Sequence, residues 1–168
     1  MATTYGAIAT VTVGSGGAAN IEFTSIPQTY TDLKLVYSLR NARNLDTDSI
    51  SITINTVGVG TSLSLRGNGS IVVSFTETKL NAGRVVSATA TANTFNSGEI
   101  YFPNYASNVN NKSYSSDTVT ENNNTQAFQQ LDAVLYPSTE PITNLTIFGD
   151  NGNLVEYSTA TLYGIKNS

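Results

Sequence analysis

Neither histidine nor cysteine occurs among the 168 residues of this chain. Imidazole is the usual general base near neutral pH, and thiolate and imidazole are the soft metal ligands. A Ser-His-Asp or Cys-His nucleophilic site is therefore excluded, as are disulfides and thiolate metal centres. A glycoside hydrolase needs only two carboxylates across a cleft. Twelve acidic residues are present, but no spacing picks out a pair, and such residues are usually solvated. Asp46-Thr47-Asp48, with Asn44 close by, could offer oxygens to calcium, yet the glycine turn and distal glutamate of an EF-hand loop are missing. Asp150-Asn151-Gly152-Asn153 carries similar oxygens and reads more simply as a turn. Gly164 stands alone, with no phosphate-loop context. No catalytic, cofactor-binding or metal-binding residue is assigned, and the expectation is that the chain is not an enzyme.

Two further groups of side chains could make contacts. Arg40 and Arg43 are the only close pair among eight scattered cations (the others are Lys34, Arg66, Lys79, Arg84, Lys112 and Lys166). They are expected to be solvated or to pair with Asp46 or Asp48, with a contact to another subunit as the alternative. The nine tyrosines and six phenylalanines, with no tryptophan, suit a core with hydroxyls at its edge, a sugar-stacking platform or a subunit interface. A net charge of −4 and no basic cluster argue against nucleic acid. Charged residues make up only 12%, about half the usual share, and Ser, Thr and Asn take their place. Sequons such as Asn68-Gly69-Ser70 and Asn144-Leu145-Thr146 are expected to be unused. The opening MATTYGAIATVTV has no basic region or long apolar core, so synthesis in a cytoplasm is expected. No apolar run is long enough to span a membrane as a helix.

Strands must position these residues, because period-two alternation dominates. Leu33, Leu35, Tyr37 and Leu39 share one face of residues 31–40, with Asp32, Lys34, Ser38 and Arg40 on the other and Val36 as the exception. Ile50, Ile52 and Ile54 point inward from 49–55, and Ile71, Val73 and Phe75 from 71–76. Further strands are expected at 7–13, 18–24, 61–66, 85–91, 97–106, 128–136, 142–148 and 155–165. A short helical turn is expected near 125–131, TQAFQQL. Gly14-Ser15-Gly16-Gly17 suits a hairpin loop, and the Asn-Gly pairs at 68–69 and 151–152 suit type I′ turns. The Asn-rich patches 108–111 and 122–124 read as exposed loops. Strands and turns at regular spacing along residues 1–168 predict one all-β domain, an antiparallel two-sheet β-sandwich with a jelly roll as first choice.

Two segments carry a resemblance: Phe23-Thr24-Ser25-Ile26-Pro27-Gln28-Thr29-Tyr30-Thr31-Asp32-Leu33, and the ending Ala160-Thr161-Leu162-Tyr163-Gly164-Ile165-Lys166. A third, Phe102-Pro103-Asn104-Tyr105-Ala106, lies between them. Together they resemble a group of small virion proteins of tailed bacteriophages, including phages of aquatic and cyanobacterial hosts; residues 41–98 and 107–140 match only in texture. The resemblance implies a β-sandwich building block on the outer surface of a phage particle. The expectation built on it is a capsid decoration (cement) protein, a homotrimer bridging major capsid protein subunits. The alternatives are a collar, tail or fibre component that binds host-surface glycan, and a glycan hydrolase.

Overall fold

The computed structural model describes residues 4–122 and 127–166. Among the described residues there is no helix, and twelve strands form two antiparallel sheets. In chain order they are β1 (Tyr5–Thr12), β2 (Ile21–Phe23), β3 (Asp32–Ser38), β4 (Thr47–Ile54), β5 (Thr61–Gly67), β6 (Val72–Glu77), β7 (Asn81–Val86), β8 (Ser97–Phe102), β9 (Lys112–Glu121), β10 (Ala127–Tyr136), β11 (Leu145–Gly149) and β12 (Thr159–Ile165).

The eight-stranded sheet runs β1-β12-β3-β8-β9-β10-β5-β6 and the four-stranded sheet β2-β11-β4-β7. The pairs β1·β12, β2·β11, β3·β8 and β4·β7 are nested in the sequence. They behave as one long antiparallel ribbon that folds over itself, closing through β12·β3 and β11·β4. This is the strand order of a jelly roll. Two hairpins are inserted into it. β5–β6 leaves between β4 and β7, β9–β10 leaves between β8 and β11, and the two join each other and the free edge of β8. One sheet is thereby twice as wide as the other.

Alternation builds the core where the two sheets overlap. Leu33, Leu35, Tyr37 and Leu39 are buried, as are Ile50, Ile52 and Ile54, and they pack with Ile100, Phe102, Ile147 and Leu162. Burying one such side chain contributes roughly 1.5–3 kcal/mol. The Phe102 and Tyr114 rings meet at 5.1 Å between centroids, a tilted packing that rings favour. Gly16 and Gly17 have φ of 93° and 77°, so the loop after β1 turns where glycine permits it.

The structure departs from the sequence reading at several points. The strand β9 is unanticipated: its inward residues Lys112, Tyr114, Ser116, Thr118 and Thr120 alternate with Ser113, Ser115 and Asp117, which leaves almost no apolar contrast to read. The helical turn near 125–131 is strand from Ala127 onward, and residues 125 and 126 lie outside the described residues. Phe128 and Leu131 have helical spacing, but Phe128 is half-buried under the sheet and Leu131 is exposed on its other face. The strand expected at 85–91 is displaced to Asn81–Val86, because residues 88–94 curl around Arg40. Neither Asn68 nor Asn151 has positive φ, so the type I′ turns are absent. Instead the Asn68 side chain accepts the amides of Ser70 and Ile71. Asn122 is buried, while residues 123 and 124 lie outside the described residues; residues 108–111 are exposed. On β6 the inward reading fails: Ile71 and Val73 are exposed and Phe75 is only half-buried, because the narrow sheet does not reach that far.

Polarity is inverted in the wing formed by β9, β10 and β5. Its inner side carries Ser62, Ser64, Ser116, Thr118, Thr120, Gln130 and Asp132, all buried, while Leu63, Leu65, Val119, Leu131 and Leu135 are exposed on the other side. The cause is what lies beneath. The last strand of the narrow sheet, β7, presents backbone there rather than an apolar face. Its carbonyls accept hydroxyls and an amide: Tyr37 on Ala82, Tyr114 on Asn81 (2.7 Å), and Thr120 (3.0 Å) and Asn96 (2.8 Å) on Arg84. The Asn81 amide donates to the Ser62 hydroxyl at 3.0 Å. Gly83, at φ 106°, lies so close to Thr118 that no Cβ would fit. A buried sheet edge needs hydrogen-bond partners, and the polar inner face of the wing provides them.

Candidate interaction surface

The three segments that carry the resemblance meet at one end of the wide sheet, around Asp32. Leu33 pairs with Gly164 on one side and Phe102 on the other. The Asp32 carboxylate accepts the Asn104 amide at 2.8 Å and the Tyr101 hydroxyl at 2.7 Å. The Tyr105 hydroxyl donates to the Pro27 carbonyl. The Tyr30 ring lies against Gly164, where a Cβ would collide with it, and Lys166 sits 5.8 Å from the same ring. These residues, separate in sequence, form one structural joint. Gly164 is needed for close approach of a ring, not for a phosphate. The hydrogen bond to Asp32, with burial added, pushes the Tyr101 phenol up to about 12.

The residues at the end of β3 also hold structure together. Arg40 donates to the carbonyls of Thr91 (2.8 Å), Thr94 (3.1 Å), Ala88 (3.3 Å) and Ala90 (3.0 Å) and to the Thr94 hydroxyl. It is buried and pairs with neither Asp46 nor Asp48, so it is neither solvated nor ion-paired as expected. Arg43 does pair with Asp48, at 2.5 Å. Asp48 also accepts Asn41 (2.7 Å) and the amide and side chain of Asn151 (3.0 Å each). Burial raises its pKa, but the bonds from Asn151, Arg43 and Asn41 outweigh this and hold it below the usual carboxylate range. Asp46 accepts the Thr89 hydroxyl. The oxygens considered for calcium thus bind protein donors, and among the described residues no group of three acidic side chains converges as a metal site.

Four tyrosines, Tyr37, Tyr105, Tyr114 and Tyr136, are buried with hydroxyls on backbone carbonyls. Three of the others gather differently. Lys34 lies between Tyr101 and Tyr163 in the cross-strand row on the outer face of the wide sheet, and Tyr5 is exposed on β1, opposite Ile165.

That outer face is the main exposed feature. Leu63 pairs with Ala133 and Leu65 with Leu131, so apolar side chains of β5 and β10 sit side by side; on β6 the partners of the two leucines are Thr76 and Ser74, and Val72 lies opposite Gly67. Leu63 is 61% exposed and Val72 70%; Leu65, Leu131, Leu135, Val119 and Tyr101 are also exposed. Together these seven residues present on the order of 600 Å² of mostly apolar surface, the upper end of what a monomer carries. A shallow depression of 620 Å³ runs between Leu63, Leu135, Ala133, Tyr101 and Pro103. Beside it Glu99 and Asp117 face each other across β8 and β9. They lie on an open sheet, and Glu99 is held by Lys34 at 2.7 Å, so this pair does not form the enclosed cleft a glycosidase needs. No sequence rule pointed to the surface; the signal that could have found it is the alternation of Leu63 and Leu65 with Ser62 and Ser64, and of Leu131, Ala133 and Leu135 with Asp132. Comparison with protein-family models, curated proteins and solved structures found no match.

Proposed function

We propose that this protein is a structural subunit of a bacteriophage particle, of the capsid decoration type. It bridges major capsid protein subunits, as a homotrimer, through the outer face of its wide sheet. The observation that carries this reading is the apolar outer face of the wing. A sheet whose hydrophobic side faces water while its hydroxyls face inward is suited to being covered by another protein. An area near 600 Å² on one partner approaches the ~800 Å² per side of a standard interface. The resemblance carried by the segments around Asp32, Phe102 and Gly164 supports the virion context.

Copy number per particle tests the assignment. Hundreds of copies are expected on a decorated head; about a dozen or fewer would place the protein at the collar or tail instead. Leu63→Asp with Leu131→Asp is expected to leave the protein folded but absent from purified particles. Normal incorporation of this variant would remove the outer face from the argument. The Tyr101–Lys34–Tyr163 row favours the second reading, a collar, tail or fibre component that stacks host-surface glycan; glycan binding lost in Tyr101→Ala is its signature.

A further inference from the structure

The cations of this acidic chain are almost all engaged. Lys34, Arg43 and Lys79 pair with carboxylates. Arg40 and Lys112 are caged by carbonyls, Lys112 by those of Ser107, Asn110 and Thr139 at 2.6–3.0 Å. Lys166 sits over Tyr30. Arg66 and Arg84 differ. Neither has a carboxylate partner among the described residues, and the fold brings them to one aromatic ring. Arg66 lies 5.9 Å and Arg84 5.1 Å from the Phe128 centroid, and Arg66 is also 5.3 Å from that of Phe75. The rings hold both guanidiniums by cation–π attraction, an interaction that uses none of their N–H donors. Arg84 uses one donor on the Thr47 hydroxyl, and its Nε is buried without an acceptor. The Arg66 side chain makes no hydrogen bond among the described residues. Burial, then the neighbouring Arg66, lowers the Arg84 pKa to about 10. Arg66 lines a cavity of 170 Å³ with Gly67, Asn68, Ile71, Val73 and Phe128. That space is large enough for one small polar group.

We propose that Arg66, supported by the charge of Arg84, forms a binding site for a small oxyanion, a carboxylate or a phosphate group, in this cavity. A planar guanidinium with free donors matches two oxygens of such a group, and the anion relieves the repulsion between the two arginines. The site lies on the inner side of the wing, away from the outer apolar face, and does not depend on the role proposed for that face.

Thermal unfolding of the purified protein in phosphate or acetate, each titrated against chloride at constant ionic strength, tests the proposal. The expected result is a saturable rise in unfolding temperature with at least one of the two anions, as for any ligand of the native state. Tighter binding of acetate identifies the natural group as a carboxylate; tighter binding of phosphate identifies a phosphate. Arg66→Gln is expected to weaken the saturable part at least about tenfold, Arg84→Gln less, and Lys34→Gln, on the opposite face, not at all. Because phosphate also stabilises proteins without a site, the deciding comparison is wild type against Arg66→Gln. Equal responses of the two, or no response beyond chloride, overturn the proposal. Arg66→Lys, which keeps the charge but loses the fork, is expected to fall between them.

Discussion

At the scale of single residues, the side chains that looked most like chemistry serve as braces. Arg40 gathers four carbonyls of residues 88–94, and an alanine side chain has no donor to offer them. Arg40→Ala is expected to cost about 2–4 kcal/mol, since it leaves buried acceptors empty. Faster proteolytic cleavage within 88–94 and a lower denaturant midpoint would report it; an unchanged midpoint would show that the loop stands without the guanidinium. Gly164 gives a second test. Gly164→Val should cost about 1–3 kcal/mol by overpacking against Tyr30, and in a double-mutant cycle Tyr30→Ala should recover part of that loss. Additive costs would mean that ring and glycine do not interact. The sequence showed a proline, an alternating run and two arginines at 26–43. It could not show that Arg40 would find carbonyls about fifty residues away, because those carbonyls carry no residue type to read.

At the scale of elements, the wing tests whether burial or composition decides a strand's faces. Asp132 accepts the hydroxyls of Ser64 (2.5 Å) and Ser116 (2.7 Å) and the amide of Gln130 (2.9 Å) in a buried network. Asp132→Leu leaves those donors unsatisfied and is expected to destabilise by about 3 kcal/mol. Leu131→Ser, one residue away and on the exposed side, should change stability by no more than about 0.5 kcal/mol. Equilibrium unfolding of the two variants side by side would reveal an error if the leucine proved the costlier loss. Alternation made β3, β4, β5 and β10 legible. It failed for β9, where hydroxyls line the inner face and little apolar contrast remains, and for the start of β7, where Asn81 and Gly83 disguise a strand that ends a buried sheet.

At the scale of the whole molecule, the absence of histidine and the environments of the tyrosines set the response to pH. No histidine titrates between the carboxylates and the phenols, so stability should be nearly flat from about pH 5 to 9. Asp48, held below its ordinary value, contributes stability that is present above its unfolded pKa and is lost as pH falls through its lowered folded value. Burial raises the phenols of Tyr37, Tyr114 and Tyr105, and the Asp32 hydrogen bond raises that of Tyr101. For these acids the native state favours the neutral form. Their contribution is complete below about pH 10 and declines above it, where the unfolded chain ionises first. Lys112, Arg84 and Arg40, lowered by burial, have the opposite sign at alkaline pH, but four phenols oppose three cations and the net slope is downward. Phenolate absorbance should appear together with unfolding; full ionisation of the tyrosines in a still-folded protein would contradict the buried geometry.

The amino-acid sequence by itself determined that this chain is an all-β sandwich without histidine or cysteine chemistry, because alternation and composition are local properties that each segment carries with it. Which face of each strand meets water was decided only by the tertiary structure. The same period-two pattern places leucine inside on β3 and outside on β10, since one strand lies beneath the face of the second sheet and the other beneath its edge. That difference depends on where two inserted hairpins dock, and it produces both the exposed apolar face and the paired arginines on Phe128.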